Sequence, residues 1–229
     1  LTGLYAGVLG DFCPKRILLF GTACPAAFLF AFLSRNQPVH TMHDVFKAYV
    51  EQWVSPSDDD YRQLFDVIRH QAFRKNTVIH QAGTVCNQIY FVTQGIARHY
   101  YTDEGMEGTT WFSCVGDVMT EFLGFISRQE SLFSIVASTD VEALSVTYDD
   151  LQRLYAAGPV WNTFGRLTTE SYLTRVITRN LDIQFKDARK KYEEFLQAHP
   201  DILNAVPLGQ VASYLGIAQE TLSRIRRNA

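Results

Sequence analysis

Between residues 72 and 148 the chain is a succession of short β-type runs, and from Met42 onward the rest reads mostly as helix. Phe73 to Ile79 is followed by Ala82-Gly83, Ile89-Tyr-Phe-Val92 by Gln94-Gly95, and Thr109 to Ser113 by Val115-Gly-Asp117. Ile96 to Thr102 runs into Asp103-Glu-Gly105, a hairpin signal with glycine in a short loop. Leu132 to Ser138 and Ala143 to Thr147 flank a turn at Thr139-Asp140. Many short strands at this spacing predict a jelly roll or small barrel. Strands gathered in one stretch, with helices on either side, make the chain α+β.

The C-terminus carries the second constraint. Pro207 suits a first helical position, because its missing N–H has no intrahelical partner there. Val211, Ala212 and Leu215 form one apolar face, and Gly216 follows where an αL cap costs least. After Ile217-Ala218 a second helix begins, burying Leu222 and Ile225. Gln219, Glu220, Ser223, Arg224 and Arg227 fall mostly on its other side. This is the layout of a helix-turn-helix whose second helix enters a major groove. A plain helical hairpin with a solvated basic end has the same spacing.

The remaining segments read as packing elements. Phe46, Tyr49, Val50 and Trp53 recur at helical spacing, and Ser55 to Asp60 supplies N-caps for a helix with Tyr61, Leu64, Phe65 and Ile68 on one face. Ala156-Ala-Gly-Pro159 is a break. Beyond it a long helix is predicted over 160–183, with Phe164, Leu167, Ser171, Thr174, Thr178 and Leu181 as a poor coiled-coil seam. A helix over 185–198 turns Ala188, Tyr192 and Phe195/Leu196 inward and Lys186, Arg189, Lys190 and Lys191 outward. Residues 1–41 begin with Leu and hold the apolar run Ile17 to Leu33 behind Lys15-Arg16, interrupted by Pro25. A start codon assigned too far upstream, ahead of Met42, is preferred there over a membrane anchor, and both over a cleaved signal.

Charge is distributed unevenly. From Lys186 onward seven Lys/Arg stand against five Asp/Glu, and the rest of the chain has fourteen against nineteen. A basic end on an acidic body suits a nucleic-acid contact confined to that end. Cys13, Cys24, Cys86 and Cys114 include no C-x-x-C pair, so zinc and iron–sulfur sites lack their thiolate spacing. Scattered, reduced cysteines fit a cytoplasmic protein.

The run Ala212-Ser-Tyr-Leu-Gly-Ile-Ala-Gln-Glu-Thr-Leu-Ser-Arg224 closely resembles the recognition motif of bacterial Crp/Fnr-family transcription regulators. Ile89 to Gly95 and the Val115-Gly-Asp117 turn resemble that family's cyclic-nucleotide-binding β-roll, and the resemblance extends from about residue 60 to the end. It implies a β-roll with N-terminal helices over 42–158, a dimerisation helix over 159–184 and a helix-turn-helix domain over 185–229. It also implies a homodimer on double-stranded DNA, with RNA polymerase as a further partner. Gln219, Glu220, Thr221, Ser223, Arg224, Arg226 and Arg227 are the candidate DNA-binding residues, Arg224 reading guanine and Glu220 cytosine. Many relatives add a short β-wing after the recognition helix, and none is read here.

The phosphate-binding cassette departs from the family pattern. Glu121 is in register, but Thr120 replaces a glycine, Ser131 stands where the arginine belongs, and Arg128 is three residues early. A diester anion leaving water needs a cation or several donors, and serine is not a cation. No cyclic-AMP response is therefore expected. Glu121, Arg128 and Ser131 mark the effector pocket, which either takes another small molecule or, preferred, is filled by Phe122, Phe125 and Phe133.

The competing reading is a cupin-like β-barrel binding a metal or small molecule without DNA. Of His40, His43, His70, His80, His99 and His199, only His80 and His99 fall in or beside the strands, and no H-x-H pair occurs. There is no G-x-S-x-G, P-loop or Cys/His nucleophile signature, so neither an enzyme nor a resident cofactor is expected.

Overall fold

The computed structural model describes residues 42–227, so the readings made for residues 1–41 lie outside the described residues. Helices α1 (Met42–Val50) and α2 (Asp58–Val67) come first. Ser57 opens α2 through a capping box: the Asp60 N–H donates to its hydroxyl at 3.2 Å, and its own N–H donates to the Asp60 carboxylate at 2.8 Å. Phe46, Tyr49, Val50, Tyr61, Leu64 and Ile68 are buried, as their spacing requires. Trp53 lies in a turn past the end of α1 and packs only partly against the same core.

Eight strands follow, interrupted by one short helix: β1 (Arg69–Phe73), β2 (Val78–His80), β3 (Gln88–Gln94), β4 (Ala97–Asp103), β5 (Met106–Ser113), β6 (Val118–Met119), α3 (Phe122–Ser127), β7 (Ser134–Ala137) and β8 (Val141–Thr147). They form two antiparallel four-stranded sheets, ordered β1-β8-β3-β6 and β2-β7-β4-β5. The β4–β5 hairpin closes through Glu104 and Gly105, both at positive φ, as a two-residue loop needs. Tyr90, Val92, Ala97, Met119, Ile135, Ala137, Val141 and Ala143 fill the space between the sheets. On the outer face of the first sheet Phe91, Leu144 and Val146 pack under the helices. Because β3 is buried on both faces, Ile89 to Val92 is a continuous apolar run, not an alternating one.

The single run expected from Phe73 to Ile79 is two strands in different sheets. Asn76, at φ 68°, turns the chain between them, and the Asp140 carboxylate accepts the Lys75 N–H at 2.8 Å and pairs with Arg74 at 3.1 Å. Helix α4 (Tyr148–Ala157), capped by Thr147, and helix α3 were not anticipated. Both are short and interleaved with strand-like residues, so neither has a long apolar period.

Helix α5 (Pro159–Phe185) is longer than expected at both ends, with Pro159 in its first turn. The seam needs correction. Phe164 belongs to the core beneath α1 and α2, and the exposed apolar stripe is Leu173, Ile177, Leu181 and Phe185. Threonines misled the spacing: Thr174 satisfies its hydroxyl on the Glu170 carbonyl one turn back, and Thr178 is half-buried.

Helices α6 (Ala188–Ala198), α7 (Pro200–Ala205), α8 (Leu208–Leu215) and α9 (Gln219–Arg227) complete the described chain. Asp187 caps α6, which starts three residues later than expected and buries Tyr192 and Phe195, while Leu196 is exposed. Its basic residues are mostly engaged. Lys186 pairs with Asp182 at 2.6 Å and with Glu194, Arg189 with Glu193 at 3.8 Å, and Lys191 donates to the Ile183 carbonyl at 2.8 Å. Among the described residues no helix is long and apolar enough to cross a membrane.

Candidate nucleic-acid interface and effector cavity

Helix α8 ends on Gly216 at φ 64°, and the Ile217 N–H reaches back to the Ala212 carbonyl at 3.1 Å. This is the αL termination its lack of a Cβ favours. Pro207 is the residue before the first turn, not in it: Leu208 is the first helical position. Leu222 is wholly buried and Ile225 nearly so, against Val211, Ala212 and Leu215. With that face sealed, Gln219, Glu220, Arg224, Arg226 and Arg227 are exposed, while Thr221 and Ser223 are half-buried. Gly209 adds a feature that spacing does not reveal. A Cβ there would lie 2.6 Å from the Gln219 side-chain oxygen, so the Gln219 amide rests against the start of α8.

The helical domain is seated on the β-roll. Ile96 and Phe112 share a core with Tyr192, Phe195, Ile202, Val211 and Leu222. The Thr109 N–H donates to the Ser213 hydroxyl at 2.9 Å. Tyr214 packs on Phe112 and Phe195, with ring centroids 5.4 Å apart in each pair, and burial raises its phenol pKa. From α5, Arg179 lies over the Tyr214 ring and donates to its carbonyl at 2.8 Å. Nearer the middle of α5, Arg175 donates to the buried Asp117 carboxylate at 2.9 Å, tying the Gly116-Asp117 turn to the helix. Neither arginine stands out in sequence, because their roles depend on which face of α5 meets the β-roll.

The cassette residues divide. Glu121 is buried and caps α3, its carboxylate accepting the Gly124 N–H at 2.6 Å. Arg128 closes the same helix at φ 59°. Its guanidinium stacks on Tyr148 and donates to the Cys86 carbonyl at 2.7 Å and to Asn87. Ser131 is buried, with its hydroxyl unpartnered among the described residues, close to Gly124. Thr120 donates its hydroxyl to the Gln88 carbonyl at 2.8 Å.

A cavity of about 450 Å³ opens between this cassette, β4–β5 and α5. Glu121 lines it, and Arg128 and Ser131 lie outside its lining. The expectation that aromatic rings fill it fails. Phe122 and Phe133 are walls, and Phe125 turns to the other side of α3, against Tyr148. The wall residues that sequence reasoning missed include His99, Trp111, Tyr172, Val176 and Arg179. The last three, all on α5, recur at i, i+4 and i+7, a helical face that the sequence does contain.

His99 is neutral. Burial, with His80 nearby, pushes its pKa down to about 3, and its Nε2 shares a hydrogen bond with the Ser113 hydroxyl at 2.9 Å. Among the described residues no three His, Cys, Asp or Glu side chains converge as metal ligands. Neither Cys86 nor Cys114 is in a disulfide among the described residues.

Residues 70–157 match the model of the cyclic nucleotide-binding domain family. No curated protein matches the sequence. Among solved structures, FixK2 from Bradyrhizobium japonicum is 20% identical, with a TM-score of 0.60 over 71% of this chain and 84% of that one. A regulator of the Crp/Fnr family from Eubacterium rectale is also 20% identical, with a TM-score of 0.61 over 76% and 83%. The c-di-GMP responsive regulator CLP from Xanthomonas campestris is 15% identical, with a TM-score of 0.58 over 75% and 91%. The chain shares the fold of these structures: a β-roll, a long connecting helix and a C-terminal helix-turn-helix.

Proposed function

We propose that this protein is a sequence-specific, DNA-binding transcription regulator that acts as a homodimer. The observation that carries the reading is α9. One face is sealed into the domain, and the other presents Gln219, Glu220, Arg224, Arg226 and Arg227 to solvent. Arg224 reads a base edge, with Glu220 and Gln219 beside it, while Arg226 and Arg227 meet phosphate. Thr221 and Ser223, half-buried, contact the backbone. Leu173, Ile177, Leu181 and Phe185 form the stripe on which a second copy packs, giving a two-fold symmetric operator with half-sites about one helical turn apart.

The effector is not cyclic AMP. Arg128 is committed to Cys86, Asn87 and Tyr148, Ser131 carries no charge, and Glu121 occupies the N–H donor of Gly124. A diester anion entering here loses water without meeting a free cation at the cassette. The protein has no enzymatic role in this reading, and RNA polymerase is the partner through which DNA occupancy would act.

Selection on random DNA tests the proposal, followed by titration of the selected site. Arg224→Ala is expected to cost about 1–3 kcal/mol on that site and little on unrelated DNA. Equal losses on both would make Arg224 a backbone contact, and no selected sequence at all would remove the regulator reading.

A further inference from the structure

Among the residues lining the cavity between the β-roll and α5, Arg179 is the one permanent cation and Glu121 the one carboxylate. Arg179 is only partly used. One terminal nitrogen donates to the Tyr214 carbonyl, but its buried Nε–H has no acceptor among the described residues. The Nε–H is shut off from accessible space, so a planar oxyanion in the cavity would meet the guanidinium through its other terminal nitrogen. Glu121 gives one oxygen to the Gly124 N–H, and its other oxygen has no hydrogen-bond donor in the described structure.

We propose that this cavity binds a small monocarboxylic acid with a ring body and one hydrogen-bond donor, the carboxylate on Arg179 and the donor on Glu121. The proposal rests on reading the β-roll cavity as the effector site, and names the ligand class and the coupling. Trp111, Phe122, Phe133 and Tyr172 supply flat apolar walls for the ring, and the volume is in the range of small-molecule sites. A phosphate fits less well. Gly124 donates to Glu121 and Phe125 donates to the Glu121 carbonyl, so these two N–H groups are not open to a tetrahedral anion. His99 is neutral at physiological pH and adds no second cation.

The acid also reaches the DNA-binding domain through one side chain. Arg179 holds the Tyr214 carbonyl of α8, so fixing its guanidinium from the cavity side biases how α8 sits on the β-roll. By reciprocity, ligand affinity and DNA affinity change together.

Calorimetry on the full chain tests this with 4-hydroxybenzoate and indole-3-acetate as probes, 4-hydroxybenzyl alcohol as the uncharged control, and cyclic AMP as the competitor class. At least one acid is expected to bind saturably, with a Kd of about 1 mM or below, and the alcohol is not. Arg179→Met, checked for folding by melting, is expected to weaken the acid at least about tenfold, with Arg179→Lys between the two. Should Arg179→Met fail to fold, Glu121→Gln takes its place: 4-hydroxybenzoate then loses its advantage over benzoate. The proposal is overturned if neither acid binds, if binding survives Arg179→Met unchanged, if Glu121→Gln leaves that advantage intact, or if cyclic AMP binds more tightly than both acids. Arg179-dependent acid binding by a chain that binds no DNA supports the site while removing the regulator reading.

Discussion

His99 gives the sharpest stability prediction. It is buried beside the cavity, bonded to Ser113, and its folded-state pKa of about 3 lies well below the usual histidine value of 6.5. Because the folded pKa is depressed, the unfolded chain takes up this proton first as pH falls. The stability is therefore present above about pH 6.5 and is lost progressively toward pH 3. At about pH 5 the unfolded state holds the proton almost fully and the folded state almost none, a difference of about 1.5 pH units, or about 2 kcal/mol. Near pH 7.5 the same term is close to zero. Other groups titrate over this range: burial lowers the pKa of His80 and His199 as well, so the whole-protein slope contains their shares. The His99→Gln variant isolates the one wanted, since an amide keeps a hydrogen bond to Ser113 but does not titrate. Urea unfolding of both proteins at about pH 7.5 and about pH 5 should show the wild type losing about 2 kcal/mol more than the variant. Equal losses would mean that His99 protonates freely in the folded state, and the burial argument would fail.

Dimerisation through α5 is expected to be lost in Ile177→Glu, which places a charge in the middle of the exposed apolar stripe; sedimentation at micromolar concentration would report it, and an unchanged dimer would move the interface elsewhere. Gly209→Ala should fold normally, because the Cβ meets only the mobile end of Gln219, yet shift the base preference by displacing that amide; an identical selected sequence would show that Gln219 reads no base. Gly165→Ala should lower stability by about 1–3 kcal/mol, since its Cβ would lie 2.2 Å from the Tyr155 hydroxyl, and a melt unchanged from wild type would show that α4 can slide along α5.

By itself the sequence determined what local chemistry controls. The turn at Gly216, an N-cap within Ser55 to Asp60, the hairpin at Glu104-Gly105 and the exposed face of α9 follow from residue type and period alone, because each involves neighbours a few positions apart. The α+β class and the order of its parts were legible for the same reason. Only the tertiary structure decided which face of α5 meets the β-roll, since its apolar, threonine and arginine positions overlap at helical spacing. That choice exposes Leu173, Ile177 and Leu181, and turns Tyr172, Val176 and Arg179 into the cavity. Likewise, the fate of Arg128 depended on contacts to Cys86, Asn87 and Tyr148, drawn from two other parts of the chain. A cation's position in sequence does not say which carbonyl it will satisfy, and here packing places Arg179, 51 residues beyond Arg128, on the wall of the cavity.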